Sequence, residues 1–328
     1  MGSPFRTELP ENRDGAELSS RDHVYVMPAS RPPERVWKYV ALFLLTLLTT
    51  TLVGIDHYAS FLSGFRSIDL PFSLWELVIR GLWYSLSILA ILGAHEFGHY
   101  YACRYYGVDA SLPYFLPVPF VLTGTLGAFI RIRQQIPTKR ALFDIGIAGP
   151  IAGFVVLIPV LMVGMYLSQV IQVPKDFSGP VYELGEPLLF KAVAWLTFGP
   201  VPEGYTVNMH PVAFAAWFGM LATTLNLFPV GQTDGGHVSY AVLGRFSTTL
   251  SFGTLACLVG LSFVSSSWIV WTVLMTAMLV LIGPRHPRTI DDHVPLDRAR
   301  MWIAAFGLAV FIVCFSPVPA ELVDLVAR

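Results

Sequence analysis

Apolar residues run through this chain in long blocks rather than in one-sided stripes. Residues 37–55, 74–106, 141–168, 211–228, 249–264, 268–283 and 301–315 are each dominated by Leu, Ile, Val, Phe and Ala with few charges. A helix that is hydrophobic all round is buried in lipid or in a large core, and about 20 such residues cross the hydrocarbon layer. The pattern predicts an all-α polytopic membrane protein with about seven transmembrane helices. Between the second and third blocks the pattern changes. Pro113, Pro117 and Pro119 interrupt an apolar stretch, and the segment ending at Ile130-Arg131-Ile132-Arg133 alternates as a strand does. Open strand edges do not survive in lipid, so residues 112–133 are expected as a re-entrant β-hairpin covered by the second helix.

The polar stretches set the organisation. Residues 1–36 carry Pro4, Pro10, Pro28, Pro32 and Pro33 among scattered Arg and read as a flexible cytoplasmic tail. Residues 37–317 form the membrane-embedded domain, and 318–328 a short C-terminal tail. Residues 169–210 read as a polar loop and 284–300 as a charged one. Basic residues cluster in the N-terminal tail, in 104–140 and in 284–300. By the excess of Lys and Arg on the cytoplasmic side, these three segments and the N-terminus face the cytoplasm. The first 36 residues lack the apolar core of a signal peptide, and Arg6 breaks the myristoylation pattern.

Composition agrees. The chain has 328 residues, 54% hydrophobic and 13% charged, against about 25% charged in soluble domains. Its mean hydropathy is +0.61. A net charge of −1 offers no basic surface to nucleic acid. Cys103, Cys257 and Cys314 each lie in an apolar run and read as small packing residues.

One group of ionisable residues breaks the second block: His95-Glu96-Phe97-Gly98-His99. Positions i and i+4 share a helix face, so both imidazoles can address one point with Glu96 beside them. This is the helical zinc arrangement in which two nitrogens hold the metal and a carboxylate handles protons. Such groups cost on the order of a few kcal/mol each at membrane depth and mark a functional site there. A catalytic zinc needs a third protein ligand. No Glu occurs between Glu96 and Glu183, and no His between His99 and His210, so the ligand comes from far along the chain. If the second helix enters near residue 82, His95 lies about 20 Å deeper. His57 and His210 belong at the opposite end. Asp234 and His237, in the Gly-rich stretch after the fourth block, emerge at matching depth, and Asp234 is preferred. Its competing role is an Asp-Gly turn. Asp144 reads as an anion at a helix N-terminus. Gly149-x-x-x-Gly153 reads as a close-packing face that the second helix meets with Gly93 and Gly98. His286, Asp291, Asp292 and His293 read as a solvated loop rather than a second metal site.

The pairing of His95-Glu96-x-x-His99 with Asn226-x-x-Pro229-x-x-x-x-Asp234-Gly235 resembles the site-2 protease family of intramembrane zinc metalloproteases. The Gly124–Arg133 stretch and Phe143-Asp-Ile-Gly-Ile-Ala-Gly-Pro150 look like the branch shared by bacteria and plant plastids, and the likeness covers residues 75–300. The resemblance implies one Zn2+ per chain on His95, His99 and Asp234, with Glu96 as the catalytic acid/base. It implies a positioning or oxyanion role for Asn226. The substrate would be a single-span membrane protein cut in or near its transmembrane segment. The setting would be a bacterial inner (cell) membrane, with the active site toward the cytoplasm. Many bacterial members carry a PDZ domain; the stretch 169–210 is too short for one. Two other classes compete. A catalytically silent zinc-binding scaffold or chaperone has no need of Glu96, and a metal transporter would show ligands along a path rather than at one depth.

Overall fold

The computed structural model describes residues 35–65, 72–119, 122–174, 179–283 and 289–325; the expected tail, up to residue 34, lies outside them. Among the described residues three helices are long and apolar enough to cross a membrane: α1 (Val36–Ser63), α2 (Leu74–Tyr105) and α3 (Lys139–Leu167). At ~1.5 Å per residue each exceeds the ~30 Å hydrocarbon layer. After α4 (Leu188–Phe198) come α5 (Pro211–Leu227), α6 (Asp234–Leu243), α7 (Phe246–Ser262), α8 (Ser267–Ile282) and α9 (Arg298–Cys314). Helices α5, α7, α8 and α9 coincide with the four remaining apolar blocks, but at 16 or 17 residues they reach only about 25 Å.

Local chemistry fixes where these helices begin. Ser73 and Glu76 form a reciprocal capping box at α2, with the Glu76 carboxylate accepting from Ser73 N at 2.9 Å. Thr138 caps α3 through Ala141 N at 3.2 Å. Asp297 caps α9 through Arg300 N at 3.0 Å. That N–H and the Arg300 guanidinium hold the Asp297 carboxyl below the usual carboxylate range. Asp144, expected to act through the helix dipole alone, instead pairs across the molecule. Arg300 Nε and Nη2 donate to its carboxylate at 2.9 and 2.5 Å, and Tyr106 Oη donates to it as well. The α9 N-terminus brings in a cation that nothing near Asp144 in the sequence announces.

Helices α2, α3 and α5 enclose the core, where Tyr84, Ile91, Leu157, Leu161 and Met220 are fully buried. The close-packing expectation holds on one side. A Cβ on Gly98 would lie 2.6 Å from Ala148 O of α3. Gly93 faces the hairpin residue Phe115 instead.

Strands β1 (Tyr114–Pro117) and β2 (Thr125–Phe129) form the expected antiparallel hairpin, with Tyr114 opposite Phe129 and a register shift between Phe115 and Pro117. Three successive carbonyls near its tip meet side chains of α1 and α2. His57 Nε2 lies 3.1 Å from Leu122 O, Tyr84 Oη donates to Thr123 O at 2.9 Å, and Thr49 Oγ1 donates to Gly124 O at 2.7 Å. Tyr84 precedes Glu96 by about 18 Å of helix. The hairpin therefore lies along the helix that carries the HExxH residues, with its carbonyls satisfied by protein.

Two expectations change. The stretch 169–210 is no plain loop: it contains β3 (Gln169–Gln172), β4 (Gly179–Leu184), α4 and β5 (Tyr205–Asn208). Part of the C-terminal stretch 318–328 is a strand, β6 (Ala320–Leu325). β3 pairs with β5 and β4 with β6, both antiparallel. Runs of four to six residues give too little alternation to read as strands, and the β4–β6 partners lie far apart in sequence.

Candidate metal centre

His95 and His99 sit one turn apart in the last third of α2, each 6% exposed. His99 Nδ1 is 2.7 Å from Ile145 O of α3. That contact puts the proton on Nδ1 and leaves the Nε2 lone pair free to bind a cation. The space for the ring comes from α3: a Cβ on Gly149 would lie 2.1 Å from His99 Nε2.

Asp234 arrives from the far side. The expected irregular segment is a helix start: Thr233 caps α6, with Gly236 N donating to Thr233 Oγ1 at 3.1 Å, and Asp234 is the first helical residue. An anion is favoured there by the helix dipole. Gly235 and Gly236 are required by close packing rather than by a turn. A Cβ on either would come within 2.1–2.3 Å of the Leu227 or Gly231 carbonyl oxygen.

The three side chains converge. Asp234 Oδ2 lies 3.1 Å from His95 Nε2 and 3.2 Å from His99 Nε2, and the two Nε2 atoms are 3.1 Å apart. Ligands about 2.0–2.1 Å from a tetrahedral zinc stand about 3.3 Å from one another, so this triangle fits a zinc ion. Two nitrogens and one carboxylate leave a fourth position open. His237, the other candidate, lies with its Cβ against Gly146 of α3; among the described residues the ligand cluster is His95, His99 and Asp234.

Glu96 stands beside the triangle, its Oε1 4.0 Å from His95 Nε2, and is 6% exposed. The Ile130 backbone, just beyond β2, approaches its carboxylate. Asn226, in the last turn of α5, places its Nδ2 3.3 Å from His95 Nε2. His57 and His210 are at the other end, as expected from depth: His57 packs on Tyr84 and Phe214, and His210 caps α5. In the loop before α9, His286 lies outside the described residues. Asp291 accepts from Lys139 N at 2.6 Å, and Asp292 accepts from Tyr240 Oη at 2.8 Å, so both tie that loop to the bundle. The Thr233 cap was visible in principle as a Thr preceding Asp-Gly-Gly. The Ile145 carbonyl carries no sequence signal, because any residue supplies one.

Comparison with known proteins bears on this geometry. The model of Peptidase family M50 matches residues 83–266. The probable zinc metalloprotease EGY2, chloroplastic, of Arabidopsis thaliana is 30% identical over 263 residues, 79% of this chain and 44% of its own. EGY1 of the same plant, also named a probable chloroplastic zinc metalloprotease, is 28% identical over 344 residues, 97% of this chain and 60% of its own. The rice (Oryza sativa subsp. japonica) EGY1 is 31% identical over 318 residues, 88% and 51% of the two chains. The chain thus spans about half the length of these relatives. No solved structure matches. The family match covers more than half the chain, runs from α2 through α7, and includes every member of the His95–His99–Asp234 triangle together with Glu96 and Asn226; the chain belongs to Peptidase family M50, the site-2 protease family.

Proposed function

We propose that this chain is a zinc-dependent endopeptidase that hydrolyses a peptide bond in or near the transmembrane segment of a single-span membrane protein. The observation that carries the reading is the triangle itself. Three donor atoms from two helices meet at zinc-ligand spacing, with a buried carboxylate 4.0 Å from one of them. His95, His99 and Asp234 would hold one zinc ion per chain, which would supply a Lewis acid for the scissile carbonyl and a means of lowering the pKa of water to about 7. Glu96 takes the proton from the attacking water and hands it to the leaving amine. The Asn226 amide donates to the oxygen on which negative charge develops. His99 is kept in its binding tautomer by the Ile145 carbonyl.

A transmembrane helix hides its carbonyls in its own hydrogen bonds, so the substrate must unwind before it can react. The hairpin lies beside α2, which donates to it through Tyr84 Oη; it can take the unwound segment as an added strand. With α5, α7, α8 and α9 crossing alongside α1–α3, the bundle has about seven spans. The basic segments then put the N-terminus and the metal end on the cytoplasmic side. The curated relatives are named as chloroplastic. For this chain we favour a bacterial inner membrane, on the resemblance to the branch shared with bacteria.

The test is Glu96→Gln. It removes the proton carrier and leaves the three ligands, so zinc content stays at the wild-type level while cleavage of a single-span substrate is lost. Cleavage at the wild-type rate by Glu96→Gln would rule the mechanism out.

A further inference from the structure

At the end of the bundle away from the triangle, the ribbons β3–β5 and β4–β6 stand with the ends of α1, α4 and α5 around a cavity of about 900 Å3. That is within the ~300–1,000 Å3 range of ligand sites. Phe61, Phe190, Phe214 and Trp217 give it an aromatic lining, and Glu183, Glu186, Glu321 and Lys191 add charge. Lys191 lies 3.7 Å from Glu186, both side chains more than half exposed. Glu183 and Glu321 are direct register partners of β4 and β6, and both line the cavity. Directly opposed residues of an antiparallel pair leave the same face of the ribbon, and like charges in that position destabilise it. Two-stranded ribbons are only marginally stable. Among the described residues no basic side chain forms an ion pair with either carboxylate. A lone cation entering between them relieves the repulsion, and the aromatic lining holds an apolar side chain beside it.

The cavity neighbours the hairpin through one residue. His57 lines it, packs on Phe214 with ring centroids 4.2 Å apart, and reaches Leu122 O at the hairpin tip. A chain lying along the hairpin as far as its tip would come up to His57, at the edge of the cavity. From these observations we infer that the cavity docks the substrate itself, through an extended stretch flanking its transmembrane segment, which presents Lys or Arg to Glu183 and Glu321 and an adjacent aromatic or aliphatic side chain to the ring-lined wall. This inference rests on the endopeptidase reading above. The helix from His95 back to Tyr84 is about 16 Å long, and extended chain covers about 3.3 Å per residue. The docked basic residue therefore lies at least about five residues from the cut bond. Basic residues are scarce on the side of the membrane away from the cytoplasm, so the requirement separates few single-span proteins from many.

The test uses the full chain in lipid nanodiscs and two fluorescein-labelled ten-residue peptides of alternating Phe and Lys or alternating Phe and Glu. Fluorescence anisotropy gives Kd for the wild type, for Glu96→Gln and for the double variant Glu183→Gln/Glu321→Gln, whose retained zinc shows that the bundle is intact. The expected result is binding of the Lys peptide that weakens at least tenfold in the double variant, is unchanged in Glu96→Gln, and is absent for the Glu peptide. Equal affinity of the double variant, or equal binding of both peptides, would overturn the docking site. The two readings fail separately. Charge-dependent binding without any cleavage sinks the endopeptidase and leaves the cavity a binding site. Cleavage of a basic-flanked substrate that is undiminished in the double variant sinks the docking site and leaves the endopeptidase.

Discussion

Replacing Gly149 by Ala tests whether the metal triangle depends on α3 as closely as the geometry says. The added Cβ would stand 2.1 Å from His99 Nε2, 2.4 Å from Cδ2 and 2.6 Å from Cε1. It collides with the ligand ring rather than with the end of a flexible chain. Restoring ordinary contact at ~3.5 Å requires about 1.4 Å of movement, by the ring or by the whole helix. Ligand distances tolerate about 0.2 Å, so the site cannot absorb that shift. If the ring turns away, the Nδ1 contact to Ile145 O breaks as well. Losing an outer partner alone costs about 10–100-fold in metal affinity; losing the ligand's position exceeds that. The expected outcome is a zinc Kd at least 100-fold weaker than wild type, read by competition with a graded chelator in the purified chain. Gly153→Ala is the internal comparison. Its Cβ would lie 3.2 Å from His95 Cβ and 3.5 Å from Nδ1, a contact that a few tenths of an ångström relieve, so its affinity should fall less than tenfold. Wild-type zinc affinity in Gly149→Ala, or the reverse order of the two variants, would refute the argument.

Further outcomes follow from the same contacts. Tyr84→Phe deletes the hydroxyl that donates to Thr123 O and should cost about 1–2 kcal/mol of stability; thermal denaturation and zinc content should show a loosened hairpin region with the metal retained. Arg300→Ala removes the two guanidinium donors of Asp144 and leaves only Tyr106 Oη on it; the loss of partly exposed charge-assisted bonds should lower stability by about 1–3 kcal/mol, read as a lower melting temperature, with zinc affinity unchanged. Acidification should release zinc, since both imidazoles and the carboxylate bind it only when deprotonated; metal retained after dialysis across a pH series checks this, and the reverse trend contradicts the ligand set.

Much of this arrangement was legible in the chain because it is written in short range. The spacing of His95 and His99 fixes a shared helix face whatever surrounds them. The apolar blocks mark α1, α2, α3, α5, α7, α8 and α9, since lipid-facing and core-facing positions alike select for Leu, Val and Phe. Alternation through Arg133 marked the hairpin. Depth and elimination lead to Asp234, but the sequence does not show that it opens a helix. Asp-Gly-Gly is turn chemistry in isolation, and only the approach of the Leu227 and Gly231 carbonyls shows why glycine is needed in a helix there. The Arg300–Asp144 pair and the β4–β6 ribbon join residues far apart in sequence, and no local pattern announces such partners. The same holds for Ile145, whose contribution to His99 is a backbone oxygen.

The most direct measurement is zinc content and zinc X-ray absorption on the purified chain, wild type beside Asp234→Ala. The account predicts one zinc per wild-type chain with two imidazole nitrogens and a carboxylate oxygen at about 2.0–2.2 Å, and loss of stoichiometric zinc when Asp234 is removed. A full complement of zinc in Asp234→Ala, with the ligand shell unchanged, would contradict it.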